Sequence, residues 1–163
     1  MNPRTNPSSR RIELNINSDP ANLADVRRQV EGLAGECGFD EKSAGEIGLC
    51  VNEGLANVIR HAYGGVTDRP IVVTAEYAPA DSALRIGIRD WGNGIDPTSL
   101  PPKPPDPLRP GGLGLVCLRS LMDETVYHPQ PDGMLMKMTR RRTHAIGQSS
   151  ADAAARPRGL RHG

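Results

Sequence analysis

Aromatic residues are scarce in this chain of 163 residues and make up only 3% of it. Proteins that bind single strands of nucleic acid stack the bases on aromatic side chains, so such a platform is disfavoured. The sequence also lacks any uncharged apolar run close to the roughly 18 residues that a membrane span requires. Its first ten residues, MNPRTNPSSR, lack the apolar stretch of a signal peptide. These absences predict a cytoplasmic protein that does not cross a membrane.

Cysteine is rare as well, with three residues at Cys37, Cys50 and Cys117. They are odd in number, far apart in sequence and without nearby His or Cys partners. The pattern therefore indicates neither a disulfide framework nor a zinc site, and it predicts buried thiols.

The formal net charge of +1 conceals an uneven distribution of charge. Residues 12–136 carry ten basic and eighteen acidic side chains, a net of −8, whereas residues 1–11 carry +3 and residues 137–163 carry +6. An acidic body repels phosphate backbones, so we expect no direct nucleic-acid binding by the folded part of the chain.

The length favours one domain, and the pattern of apolar residues divides the chain into three parts. Residues 1–10 and the basic tail 143–163 are polar without an apolar period, and we expect both to be disordered. The body, 11–142, should form a two-layer α/β sandwich, in which helices cover one face of a mixed, mostly antiparallel sheet. The predicted elements are strands at 11–17, 70–77, 83–89, 125–128 and 134–140, and helices at 21–36, 41–62 and 113–122.

The long helix predicted at 41–62 carries a row of polar residues beside its apolar stripe. Glu53, Asn57 and His61 recur every four residues, which places them on one face of an α-helix. Such spacing is ordinarily a solvated surface. The functional reading is that a carboxylate deprotonates a hydroxyl nucleophile, while an amide oxygen one turn away binds Mg²⁺. We expect His61 to pack or hydrogen-bond at the helix end.

A second motif, Asp90-Trp91-Gly92-Asn93-Gly94, follows a predicted strand. Glycines in such a turn are often present for steric reasons alone, because glycine tolerates positive φ. As a binding site, Asp90 would accept a hydrogen bond from an exocyclic amine such as that of adenine. The bare backbone at Gly92 and Gly94 would let the ring approach.

A third motif, Gly111-Gly112-Leu113-Gly114, leads from a proline-rich loop into a predicted helix. A helix that begins after glycines exposes N–H groups that attract phosphate, although a plain hinge would have the same composition. Arg109 lies two residues earlier and could contact a terminal phosphate, or remain a solvated charge. The motif is neither a P-loop nor a Rossmann turn, since the Lys-Ser/Thr of the first and the preceding strand of the second are missing.

Together, the segments Glu-Gly-Leu-Ala-Asn, Val-Ile-Arg-His-Ala-Tyr, Asp-Trp-Gly-Asn-Gly-Ile-Asp-Pro and Gly-Gly-Leu-Gly-Leu resemble those of bacterial anti-sigma factor serine kinases. These kinases belong to the ATPase superfamily of gyrase, histidine kinases and mismatch-repair ATPases. The resemblance covers about residues 11–140 and implies the histidine-kinase-like ATPase fold. It implies that Glu53 is the general base and that Asn57 is the Mg²⁺ ligand. It also implies an adenine-binding box of Asp90, Gly92 and Gly94 and a phosphate-binding box of Gly112 and Gly114. A lid at 96–111 would close over the phosphates, with Arg109 reaching the terminal one.

The resemblance also implies a function. It describes an ATP- and Mg²⁺-dependent serine/threonine kinase that holds a sigma factor and phosphorylates an anti-anti-sigma antagonist of the STAS type, working as a cytoplasmic homodimer. A non-catalytic, ATP-gated partner-switching module and a detached histidine-kinase ATP-binding domain are the two alternatives. The second lacks support because no phosphoacceptor helix precedes residue 11. The proline-rich lid and the arginine-rich tail depart from the family pattern.

Overall fold

The computed structural model describes residues 10–93 and 118–143, which form one antiparallel sheet and two long helices. Strand β1 (Arg11–Asn17) leads through a 3-10 turn (Pro20–Asn22) into helix α1 (Leu23–Glu36). Helix α2 (Glu41–Asn57) follows and continues as a π-helical turn (Val58–Ala62). Four strands complete the fold: β2 (Pro70–Ala78), β3 (Ala83–Asp90), β4 (Glu124–Gln130) and β5 (Gly133–Arg141).

The sheet has the strand order β1-β2-β3-β5-β4. All four ladders between the described strands are antiparallel, so the parallel pair that a mixed sheet would contain is absent from this part of the chain. Helices α1 and α2 return the chain to the end of the sheet at which β1 finishes. Strand β2 therefore starts beside the last residue of β1, with Pro70 paired to Asn17, and runs antiparallel to it. The predicted two-layer α/β sandwich with helices on one face is otherwise confirmed.

Local sequence signals place the start and the end of α2. The Asp40 carboxylate accepts a hydrogen bond from the Ser43 backbone N–H at 2.7 Å, which is the predicted N-cap. At the other end, Gly64 and Gly65 adopt φ values of 59° and 85°, which only glycine adopts without strain. The Gly65 N–H then satisfies the Ile59 carbonyl at 2.8 Å and terminates the helical segment.

The core lies between the inner face of the sheet and the two helices. The predicted apolar stripe of the long helix is buried, and it packs with α1 and with alternate residues of the central strands; its members are Ile47, Val51, Leu55, Val58 and Ala62. Cys37 and Cys50 are buried as predicted, whereas Cys117 lies outside the described residues. No helix of the described ranges is long and apolar enough to cross a membrane.

The long helix departs from the prediction in its last turn. From Val58 onward the hydrogen bonds span five residues instead of four, and the Tyr63 N–H donates to the Val58 carbonyl at 3.0 Å. A π turn acts like a one-residue insertion, which rotates the residues after it by about 100° around the axis. His61 lies within this turn; it is exposed and forms no hydrogen bond with another described residue, so the expectation that it packs or hydrogen-bonds at the helix end is wrong.

Arg142 belongs to the folded body. Its backbone N–H bonds the Ser82 carbonyl at 2.8 Å, and its guanidinium donates to the Cys37 carbonyl at 2.9 Å. Of the predicted helix 113–122, only residues 118–121 are described as helical, and the predicted ends at 1–9 and 144–163 lie outside the described residues.

Candidate functional site

A small pocket opens between the end of α2 and the sheet. It is lined from the helical side and from strands β3, β4 and β5 by Gly54, Asn57, Val58, Ala62, Asp90, Tyr127, Met134 and Met136. Asn57 and Asp90, which the sequence singled out in separate motifs, thus face the same cavity. Most of the remaining lining is apolar, as in sites that hold a flat ring between side chains.

Asp90 is the last residue of β3, and its side chain points to the inner face of the sheet. It is only 3% exposed, and its carboxylate accepts a hydrogen bond from the Gly92 N–H at 3.0 Å. Burial raises the pKa of Asp90 above its ordinary value, against the opposing effects of the Gly92 hydrogen bond and the Arg89 charge. A carboxylate at the wall of an apolar pocket is suited to accept a hydrogen bond from an amine that enters it.

Gly92 contacts the helical segment more closely than the sequence suggested. A Cβ at this position would lie 2.7 Å from the Ala62 Cβ and 2.8 Å from the Ala62 carbonyl carbon, and nearer still to the carbonyl oxygen. The Asn93 N–H also donates to that oxygen at 3.4 Å. The glycine is thus required for the turn after β3 to pack against the end of the helix, in addition to any role beside a ligand.

On α2, Glu53 and Asn57 lie one turn apart, about 6 Å along the axis, and both are partly exposed. Asn57 lines the pocket, and its side-chain oxygen accepts a weak hydrogen bond from the Arg60 guanidinium at 3.3 Å. The Glu53 carboxylate has no hydrogen-bond or ion-pair partner among residues 10–93 and 118–143. Neither side chain forms a strong contact with another described residue.

No group of three or more His, Cys, Asp or Glu side chains that could hold a metal ion occurs within the described ranges. Among the residues that line the pocket, Asn57 and Asp90 carry the amide and carboxylate oxygens that could bind Mg²⁺. Mg²⁺ retains several waters and takes few protein ligands, so it does not need a cluster of three such side chains.

The pocket residues contributed by β4 and β5 belong to none of the three sequence motifs. Met134 and Met136 face inward two residues apart, and Tyr127 pairs with Met136 across the ladder. Burial raises the pKa of Tyr127 above its ordinary value. The alternation of methionines in β5 is a strand signal that indicates an inner face, but it does not indicate a pocket.

Four predicted site residues, Gly94, Arg109, Gly112 and Gly114, lie outside the described residues, as does the predicted lid 96–111. The structure therefore brings together Asn57 and Asp90, places Glu53 one turn from Asn57, and places Gly92 against the helix end.

Comparison with known proteins agrees with this architecture. Residues 16–140 match the histidine kinase-like ATPase domain. The chain is 26% identical over 133 residues to the serine-protein kinase RsbW of Oceanobacillus iheyensis, covering 77% of this chain and 83% of that protein. It is 28% identical over 137 residues to the serine-protein kinase RsbW of Bacillus licheniformis, covering 79% and 84%.

A solved structure shares the fold. The crystal structure of the RsbU and RsbW domains of Rv1364c from Mycobacterium tuberculosis superposes with a TM-score of 0.60 at 21% identity, covering 81% of this chain. The match spans 32% of that longer chain. The predicted resemblance to serine kinases with an ATPase fold is confirmed, and the chain belongs to the histidine kinase-like ATPase domain family.

Proposed function

We propose that this protein is an ATP-dependent serine/threonine-protein kinase that binds a sigma factor and phosphorylates an anti-anti-sigma antagonist of the STAS type. The observation that carries the proposal is that Asn57 and Asp90, 33 residues apart in sequence, line one pocket. The curated relatives, which cover most of this chain, are serine-protein kinases and give the proposal its reaction type.

In this proposal, Asp90 and the apolar pocket wall select the adenine. The buried carboxylate accepts a hydrogen bond from the exocyclic amine, while Met134 and Met136 contact the ring with flexible, polarizable side chains. Guanine presents a carbonyl oxygen where adenine presents its amine, so it would be repelled by the Asp90 carboxylate. The site should therefore prefer ATP to GTP.

The phosphates would extend from the base toward the polar face of α2. Asn57 would hold Mg²⁺ through its side-chain oxygen, which would first give up the 3.3 Å contact with Arg60. When bound, Mg²⁺ neutralises charge on the phosphate oxygens. Gly112, Gly114 and Arg109 would contact the phosphates from the glycine-rich segment and the lid, in the positions that the resemblance gives them.

Glu53 would act on the antagonist's hydroxyl. The hydroxyl oxygen forms a bond to the γ-phosphorus, the bond from that phosphorus to the β,γ-bridging oxygen breaks, and ADP leaves. The hydroxyl proton passes to the Glu53 carboxylate. This carboxylate has no partner among the described residues, so its lone pairs are available for that proton.

A transfer assay with labelled ATP, Mg²⁺ and candidate STAS proteins tests the proposal. Glu53→Gln should lower transfer about 10²-fold or more with little change in ATP affinity, because a general base acts on the nucleophile. Glu41→Gln, at an exposed position in the first turn of α2, is the matched control and should transfer at the wild-type rate.

Asn57→Ala should instead raise the Kd for ATP in the presence of Mg²⁺ about tenfold and leave the Mg²⁺-free Kd unchanged. Asn52→Ala, a partly exposed position on the same helix, is its control. If the wild-type protein binds ATP but transfers no phosphate, the proposed kinase function is wrong and the non-catalytic switch module takes its place. Wild-type transfer by Glu53→Gln would leave a kinase that works by positioning alone, which phosphoryl transfer permits.

The proposal also includes a homodimer that acts in the cytoplasm. Light scattering at several protein concentrations, with and without a sigma factor, would measure the oligomeric state. A monomer at all concentrations would remove the homodimer from the proposal without affecting the kinase assay.

A further inference from the structure

The phenol of Tyr63 lies between three segments that meet behind the pocket. Its hydroxyl donates to the Pro70 carbonyl at 2.6 Å, at the start of β2. The same oxygen accepts a hydrogen bond from the Trp91 N–H at 2.8 Å, in the turn after β3. Tyr63 itself follows the π-helical turn directly. One side chain thus joins the helix end, the start of β2 and the turn that begins at Asp90.

This arrangement depends on the π turn. The Tyr63 N–H bonds the Val58 carbonyl, five residues back, and the extra residue per turn rotates Tyr63 by about 100° relative to an α-helical continuation. Tyr63 is 8% exposed and belongs to the core. π turns occur frequently at functional sites because they re-aim the residues that follow them.

The contacts of Tyr63 are placed where they affect Asp90. The hydroxyl holds the N–H of Trp91, and the Asp90 carboxylate holds the N–H of Gly92. Two successive backbone donors of the turn are thereby fixed, one by the helix end and one by the carboxylate itself. Burial raises the pKa of the Tyr63 phenol, so it remains a neutral donor at physiological pH.

We infer that Tyr63 is a positioning residue for the base-binding end of the pocket: its hydroxyl fixes the turn 90–92 and thereby the direction of the Asp90 carboxylate. The inference rests on the proposed nucleotide site. A residue that only fills the core would need the ring and not the hydroxyl. Tyr63 instead uses its hydroxyl both as donor and as acceptor.

Tyr63→Phe tests this, because it removes the hydroxyl and retains the ring. We expect the ATP affinity to fall about tenfold, which corresponds to the loss of about one hydrogen bond's net contribution. The ratio of GTP to ATP dissociation constants should fall too, because a displaced Asp90 discriminates the bases less well. General destabilisation would weaken both nucleotides equally and leave this ratio unchanged.

The single tryptophan of the chain supplies a readout that needs no nucleotide. Trp91 is 42% exposed, and the Arg89 guanidinium lies over its ring at 4.4 Å. In Tyr63→Phe the released turn should make Trp91 more accessible to acrylamide and lower its fluorescence anisotropy. Unchanged quenching and anisotropy would show that the hydroxyl does not hold the turn.

Tyr77→Phe is the matched control. Tyr77 lies near the opposite end of β2, packs edge-on against Phe39, and has no hydrogen bond from its hydroxyl to any described residue. It should leave the affinity, the base ratio and the Trp91 signal at wild-type values. Equal effects of the two variants would overturn the inference.

Two further outcomes separate the inference from the proposed function. A wild-type protein that binds neither ATP nor GTP would refute the nucleotide site, while the Trp91 measurements would still report on the turn. Should Tyr63→Phe fail to fold, hydrogen exchange of the wild-type Trp91 amide remains informative. That amide should be protected without nucleotide, and exchange at the rate of an unstructured peptide would contradict the hydrogen bond to Tyr63.

Discussion

Replacing Gly92 by alanine is expected to destabilise the protein in the absence of any ligand. The added Cβ would lie 2.7 Å and 2.8 Å from the Cβ and carbonyl carbon of Ala62, closer than real Cβ contacts come. Because part of this surface is backbone, the contact cannot be relieved by rotating a side chain. The turn must move away from the helix end and lose the hydrogen bond from Asn93 to the Ala62 carbonyl. Overpacking of this kind costs about 1–3 kcal/mol.

Gly32→Ala is the matched control. Gly32 lies exposed in α1, and a Cβ there would meet nothing within 4 Å. Alanine in a helix interior is favoured over glycine by about 0.5–1 kcal/mol, so this variant should be more stable than the wild type. The same change from glycine to alanine is thus expected to lower the free energy of unfolding at position 92 and to raise it at position 32.

Thermal unfolding without nucleotide measures the difference. For a body of this size, 1 kcal/mol corresponds to roughly 4 °C in Tm. Gly92→Ala should then unfold roughly 4–12 °C below the wild type, and Gly32→Ala roughly 2–4 °C above it. A Tm for Gly92→Ala within 1 °C of the wild type would refute the packing argument. The approach of a ligand ring, the functional interpretation of the motif, would then be the remaining explanation for the glycine.

Two further predictions concern buried charge. Burial raises the pKa of Asp90 in the folded state, so ionising this carboxyl lowers the free energy of unfolding. The loss of stability develops as the pH rises from the unfolded pKa of about 3.9 through the folded pKa. Asp90→Asn should therefore gain Tm relative to the wild type across that window while losing ATP affinity; a Tm difference that does not change with pH would contradict this. The ion pair between Glu46 and Arg140, 2.8 Å apart with both side chains about one-fifth exposed, should show a coupling of about 1–2 kcal/mol in a double-mutant cycle by urea unfolding. The exposed pair of Asp25 and Arg28 is the comparison, at about 0.5 kcal/mol or less, and equal couplings would show that partial burial adds nothing.

Much of the fold follows from local sequence patterns. Alternation of apolar and polar residues located β1 with its observed bounds, and the Asp40 cap and the Gly64-Gly65 pair bounded the long helical segment. These signals are local, since a capping side chain reaches three residues ahead and a glycine determines its own φ. Sequence spacing alone also placed Glu53 and Asn57 on one helix face.

The assembly of the pocket was decided by the tertiary structure. Sequence motifs identified Asn57 and Asp90 as separate candidate site residues. The antiparallel strand order β3-β5-β4 is what brings Met134, Met136 and Tyr127 beside them. Strand order depends on contacts between distant segments, which a periodic pattern does not encode.

The end of the long helix is a second feature that the periodic pattern did not predict. A steady 3.6-residue period predicted α-helix through residue 62, whereas the structure changes to a π turn at Val58. That change allows the Tyr63 hydroxyl to reach the Pro70 carbonyl and the Trp91 N–H, and it brings Ala62 against Gly92. The sequence located each described strand and long helix to within a few residues, whereas packing between the helix end and the sheet determined where Tyr63 and Gly92 make their contacts.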